Sequence, residues 1–130
     1  MKSTVNTPDA PAAIGPYSQG TICRSGCRLL FTAGQIPINP LTGEVAGDTV
    51  EVQAHQALEN VRAIVEAAGG SLSSVLKVTI FMKNMQDYGK INKVYATYFG
   101  DQPPARSAVE VVRLPKDVLV EIEAVAELER

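Results

Sequence analysis

The stretch from Val118 to Ala126 alternates without interruption. Val118, Val120, Ile122, Ala124 and Ala126 fall on one side; Leu119, Glu121, Glu123 and Val125 fall on the other. A period of two cannot be laid on a helix, whose faces repeat every 3.6 residues, so this segment is a strand with one buried face. Val75 to Met82 sorts the same way, with Leu76, Val78, Ile80 and Met82 against Lys77, Thr79 and Phe81. Two helical periods interrupt the strands. The first starts at Asp48, an N-cap with Glu51 three residues later, and carries the stripe Val50, Ala54, Ala57, Leu58, Val61, Val65 and Ala68 until Gly69-Gly70 stops it. The second runs from an Asn84 cap to Phe99, ends at Gly100, and has Tyr88, Ile91, Tyr95 and Tyr98/Phe99 on its buried face.

The remaining elements complete the order. Residues 1–19, with prolines at 8, 11 and 16, form an irregular arm. Strand one covers Gln19 to Arg24 and strand two Arg28 to Ala33, joined by a hairpin turn at Arg24-Ser25-Gly26 with glycine in the left-handed position. Pro37 and Pro40 end strand two. Pro103-Pro104 introduces strand four, Ala105 to Arg113, and Leu114-Pro115-Lys116-Asp117 turns the chain into the last strand. The order β-β-α-β-α-β-β in 130 residues predicts one α+β domain over 1–130, a mixed sheet with two helices on one face.

The apolar faces of strands four and five are expected to pack on those helices. Strand four divides into Ser107, Val109 and Val111 against Arg106, Ala108, Glu110 and Val112. The face away from the helices then mixes Arg106, Glu110, Glu121 and Glu123 with Ala108, Val112, Leu119 and Val125, which suits packing between subunits with polar clefts left between them.

Composition removes several classes of partner. A net charge of -2 and a pI near 5.4 give no basic footprint for nucleic acid. Four Tyr, three Phe and no Trp make a poor base-stacking platform. The first residues show no secretory signal, and no apolar run reaches the roughly 18 residues of a membrane span, so the expected location is the cytoplasm. Cys23 and Cys27 sit across the predicted turn, where a disulfide is conceivable, but cytosolic thiols stay reduced and both read as structural. With no second cysteine pair or histidine cluster, no metal site is predicted. His55 shares a stripe with Glu51, Glu59, Arg62 and Glu66 and reads as a solvated residue.

Two polar residues stand out. Arg106 opens strand four with a planar fork suited to a carboxylate or phosphate, although taken alone it reads as an ordinary surface ion-pair residue. Asn92 shares the aromatic face of helix two, where its amide either bonds to backbone in the core or faces a ligand pocket.

Four motifs occur in order: Gly15-Pro16-Tyr17-Ser18-Gln19-Gly20, Thr32-Ala33-Gly34-Gln35-Ile36-Pro37, Pro104-Ala105-Arg106-Ser107, and Leu114-Pro115-Lys116-Asp117-Val118 leading to Glu121-Ile122-Glu123-Ala124. Through them nearly the whole chain resembles the RidA (YjgF) family of reactive-intermediate, or enamine/imine, deaminases. The resemblance implies a chorismate-mutase-like fold and a homotrimer whose sheets form a central barrel, with active sites in the clefts between subunits. It implies hydrolysis of 2-aminoacrylate and 2-aminocrotonate, products of pyridoxal-phosphate dehydratases, to 2-keto acids and ammonia, with no metal or organic cofactor. By position it makes Arg106 the carboxylate clamp and Glu121 the residue associated with the catalytic water. Tyr17 closes the cleft, Asn92 lines it, and the Ala33-Gly34 backbone lies beside the substrate.

Many members carry a cysteine two residues after the arginine; here Ala108 takes that place in the site, which removes covalent thiol chemistry and leaves a water mechanism through Glu121. A non-catalytic small-carboxylate sensor or holdase trimer is the alternative, with a ribonuclease or translation inhibitor behind it. A simple hairpin of strands four and five places Glu110 near Glu121 and Arg106 nearer Val125. That separates Arg106 from Glu121 by about four residues, roughly 13 Å. Either the register differs, or a neighbouring subunit completes the site.

Overall fold

The computed structural model describes residues 2–129. Its strands are β1 (Ser3–Val5), β2 (Gly20–Ile22), β3 (Arg28–Phe31), β4 (Val75–Met82), β5 (Ala105–Glu110) and β6 (Val120–Leu128), with helices α1 (Val50–Ala67) and α2 (Tyr88–Ala96). A four-stranded mixed sheet in the order β3-β6-β4-β5 carries both helices on one face, the α+β arrangement expected from the sequence. Between sheet and helices lie Ala54, Leu58, Val61 and Val65 of α1 and Ile91 and Tyr95 of α2. They meet Val78, Ile80 and Met82 of β4 and Val120, Ile122 and Ala124 of β6.

The N-terminal half departs from expectation. The arm is not wholly irregular, because Ser3–Val5 pairs antiparallel with Gly20–Ile22 as a separate ribbon. Strands one and two therefore make no hairpin, although Gly26 does take a left-handed φ of 72° at the predicted turn. β3 pairs instead with β6, from Arg28 opposite Leu128 to Phe31 opposite Val125. The first helix is capped one residue later than predicted, Thr49 Oγ1 accepting from Val52 N–H at 3.3 Å. Asn84 does accept from Gln86 N–H, but it caps a 3-10 turn over Met85–Asp87, and α2 stops at Ala96.

The larger correction concerns the last two strands. They do not pair, because β4 lies between them, antiparallel to β6 and parallel to β5. A parallel neighbour needs a long crossover, and the segment 83–104 with α2 supplies it. The register sets Val78 beside Arg106 and Ile80 beside Ala108. Laterally paired residues share a face, and Val78 and Ile80 face the helices. Arg106 and Ala108 therefore point under α2, and Val109, expected in the core, lies on the open face at 42% exposure. β6 keeps the predicted sides: Val120, Ile122 and Ala124 are buried, while Glu121 and Glu123 lie on the open face.

Candidate active site

Arg106 is 9% exposed, and among the described residues no carboxylate pairs with it. Aromatic rings surround it. Its Cζ lies 5.1 Å from the ring centre of Tyr17, 5.5 Å from Tyr88 and 4.9 Å from Tyr95. Nη2 donates to Tyr88 Oη at 3.0 Å, and Nη1 is buried with no partner. Cation–π contact offsets about 2 kcal/mol of desolvation, whereas burying an ion costs several. Among the described residues, the charge of Arg106 is left with ring faces and one phenol oxygen for company, and no anion.

Local structure explains the cage. Tyr88, Asn92 and Tyr95 are spaced four and three apart on α2 and so share a face. Tyr95 Oη and Asn92 Oδ1 are both buried without a partner. Burial pushes the Tyr95 hydroxyl well above its ordinary pKa, the Arg106 charge pulling the other way, so it stays protonated. Tyr17 arrives on a loop tied to the proline pair. Ser18 N–H donates to Pro104 O at 3.1 Å and Ser18 Oγ to Pro103 O at 2.5 Å. The two prolines, which cannot donate, act here as acceptors. Gly15 lies over the cluster, where a Cβ would stand 3.1 Å from Tyr88 Oη, 3.2 Å from Arg106 Nη2 and 3.4 Å from Asn92 Nδ2.

Beside the guanidinium opens a cleft of about 540 Å³ lined by Ile14, Tyr17, Met85, Tyr88, Arg106 and Ala108. Glu110 supports its rim by accepting from Met85 N–H at 2.8 Å. The sequence reading missed Ile14 and Met85 and placed Tyr88 only in the buried stripe; Tyr95 is buried in the core as expected, and its ring also meets Arg106. A helix stripe built from tyrosines in place of leucines was the available signal, since each phenol needs a polar destination.

Glu121, Ala33 and Gly34 form a second group on the open face of the sheet. Gln35 N–H donates to Ile122 O at 2.7 Å and Ile122 N–H to Gln35 O at 3.0 Å, which presses Gly34 against β6. A Cβ on Gly34 would lie 2.0 Å from Glu121 Oε2, so only glycine leaves that carboxylate its place. Within one chain, then, Arg106, Tyr17, Asn92 and Ala108 gather on the helix side, and Glu121 with Ala33-Gly34 on the other. The structure does not bring Arg106 and Glu121 together, and the hairpin register is not the reason. His55 is exposed, its Nδ1 bonded to the Tyr98 hydroxyl, and Cys23 and Cys27 are free thiols.

The chain is thus an α+β domain in which a buried arginine, unpaired with any carboxylate among the described residues, stands beside an aromatic-walled cleft. Residues 7–128 match the family model described as Endoribonuclease L-PSP, and the chain belongs to that family, the YjgF/RidA family. A RutC family protein of Pyrococcus horikoshii is 56% identical over 126 residues, covering 97% of this chain and 98% of that one. The 2-iminobutanoate/2-iminopropanoate deaminase of Escherichia coli K12 is 50% identical over 129 residues, covering 97% and 98%. Among solved structures, Escherichia coli TdcF with bound serine is 48% identical and superposes with a TM-score of 0.74, covering 96% of this chain and 98% of that one.

Proposed function

We propose that the chain hydrolyses small enamine and imine carboxylates, 2-aminoacrylate and 2-aminocrotonate in their imine forms, to 2-keto acids and ammonia. The observation that carries this reading is the buried Arg106 guanidinium with no anionic partner, facing a cleft. A substrate carboxylate supplies the missing charge and is oriented by it. Water then adds to the imine carbon, Glu121 taking its proton and returning one to nitrogen, and the carbinolamine expels ammonia as the carbonyl forms. Ala108 offers no nucleophile, so no covalent intermediate with a thiol is involved. The reaction needs no metal or organic cofactor, and its substrates are those that pyridoxal-phosphate dehydratases release in the cytoplasm. The names of the Escherichia coli relatives support the same chemistry.

The site is completed between copies of a homotrimer whose open sheet faces form a central barrel. Two features support this. Arg106 and Glu121 lie on opposite faces of one sheet, and the open face exposes Phe31 (69%), Leu29 (48%) and Val109. Such apolar surface suits a subunit contact.

The test is keto-acid release in a threonine dehydratase reaction supplemented with wild type, Arg106→Ala or Glu121→Gln. Wild type is expected to accelerate it and each variant to fall by about a hundredfold or more. Equal rates for all three overturn the assignment. Ligand binding without acceleration would make the protein a carboxylate sensor. The family model's name raises ribonuclease activity as a second reading, against which the acidic balance argues; RNA cleavage abolished by neither substitution would move the function away from this cleft.

A further inference from the structure

The Tyr88 hydroxyl has one hydrogen to give and lone pairs to receive. Arginine stays protonated at any pH a protein survives, so in the 3.0 Å contact with Nη2 the guanidinium must donate and Tyr88 Oη must accept. The phenol's own hydrogen is thereby turned elsewhere, and among the described residues it meets no acceptor. Tyr88 is half-buried and lines the cleft alongside Arg106, whereas Nη1 is sealed from solvent. A hydroxyl whose oxygen already accepts from a cation is polarised toward donating, because successive hydrogen bonds reinforce one another in a low dielectric.

We propose that Tyr88 is a second carboxylate-binding group of this cleft, donating its hydroxyl hydrogen to the anion that Arg106 attracts. The proposal rests on Arg106 being the carboxylate clamp. It makes the recognition unit a guanidinium–phenol pair, in which one carboxylate oxygen receives Nη2–H and the other, or the same one, receives Tyr88 O–H. The pair selects for a formal negative charge. A neutral carbonyl of the same shape accepts the same two bonds more weakly, since hydrogen bonds to ionised groups are about twice as strong as neutral ones. Gly15 belongs to the same device, since any side chain there would crowd both donors.

Tyr88→Phe removes the hydroxyl and keeps the ring against the guanidinium. The measurement is binding of 2-oxobutanoate, a product-like acid, and of its neutral primary amide by titration calorimetry, to wild type, Tyr88→Phe and Arg106→Lys. Wild type should prefer the acid, and Tyr88→Phe should lose about tenfold of that preference, the worth of one charge-assisted hydrogen bond. Because the preference is a ratio within one variant, partial loss of folded protein cancels from it, and a purely structural role for Tyr88 would leave it unchanged. A Tyr88→Phe preference equal to wild type overturns the role of Tyr88 while leaving Arg106 standing. Absence of any preference in wild type overturns the clamp and the proposal together.

Discussion

Arg106 and Glu121 stand on opposite faces of one sheet, separated by strand β4: Arg106 sits beside Val78 on the helix side, and Glu121 beside Phe81 on the open side. No side-chain rotation brings them into one cleft, because the pleat assigns each its face. The two halves of the proposed chemistry, anion capture and water activation, would thus be presented in different directions by the same chain.

Gly34→Ala should inactivate without unfolding. Its Cβ would fall 2.0 Å from Oε2 and 2.9 Å from Cδ of Glu121, and a half-exposed carboxylate can swing aside. Stability is expected to change by less than about 1 kcal/mol, while kcat/KM drops about tenfold or more as Glu121 leaves its position. Urea unfolding and the deamination assay on the same preparation check this. Equal activity would show that Glu121's resting place is unimportant.

Thr49→Ala should cost about 1 kcal/mol, because Thr49 Oγ1 satisfies the Val52 N–H at the start of α1. Asp48→Ala, one residue earlier, should stay within about 0.5 kcal/mol. Chemical unfolding of both variants decides which residue caps the helix.

That one-residue difference illustrates what the sequence could convey. Periodicity located both helices, β4 and β6, since burial on one face leaves a spacing that no other structure produces. It also assigned both faces of β6 correctly, including Glu121. β5 misled it for a physical reason. Val109 and Val111 look like core, yet the strand's place beside β4 turns Arg106 and Ala108 toward the helices, into a layer lined by tyrosines. Strand order is a long-range property, and alternation within one strand carries no information about its neighbour. Of the candidate site, Arg106 and Tyr17 were named from motifs, Ala108 from its place two residues after the arginine and Asn92 from the helix-two face, and they do gather; Tyr88 and Tyr95 were visible only as an aromatic stripe.

Glu127 should govern part of the acid sensitivity. It is 2% exposed, and its carboxylate accepts from Arg24 N–H at 2.8 Å and from Arg24 Nε at 3.3 Å. Burial alone would raise its pKa, but the Arg24 bonds outweigh burial and hold it below the ordinary value of 4.5. A carboxyl with a lowered folded pKa adds stability above its unfolded pKa and loses it as pH falls through the folded one. Stability of wild type should therefore decline below about pH 4.5, and Glu127→Gln should flatten that limb. Parallel acid limbs in the two proteins would contradict the assignment.

The most direct test of the composite site is complementation between two inactive variants. Arg106→Ala and Glu121→Gln are each assayed alone, then co-expressed or refolded together and assayed again. If one copy contributes Arg106 and its neighbour Glu121, random assembly leaves about a quarter of the sites intact, and activity should return to about that fraction of wild type. A mixture as inactive as its two parents would contradict the account.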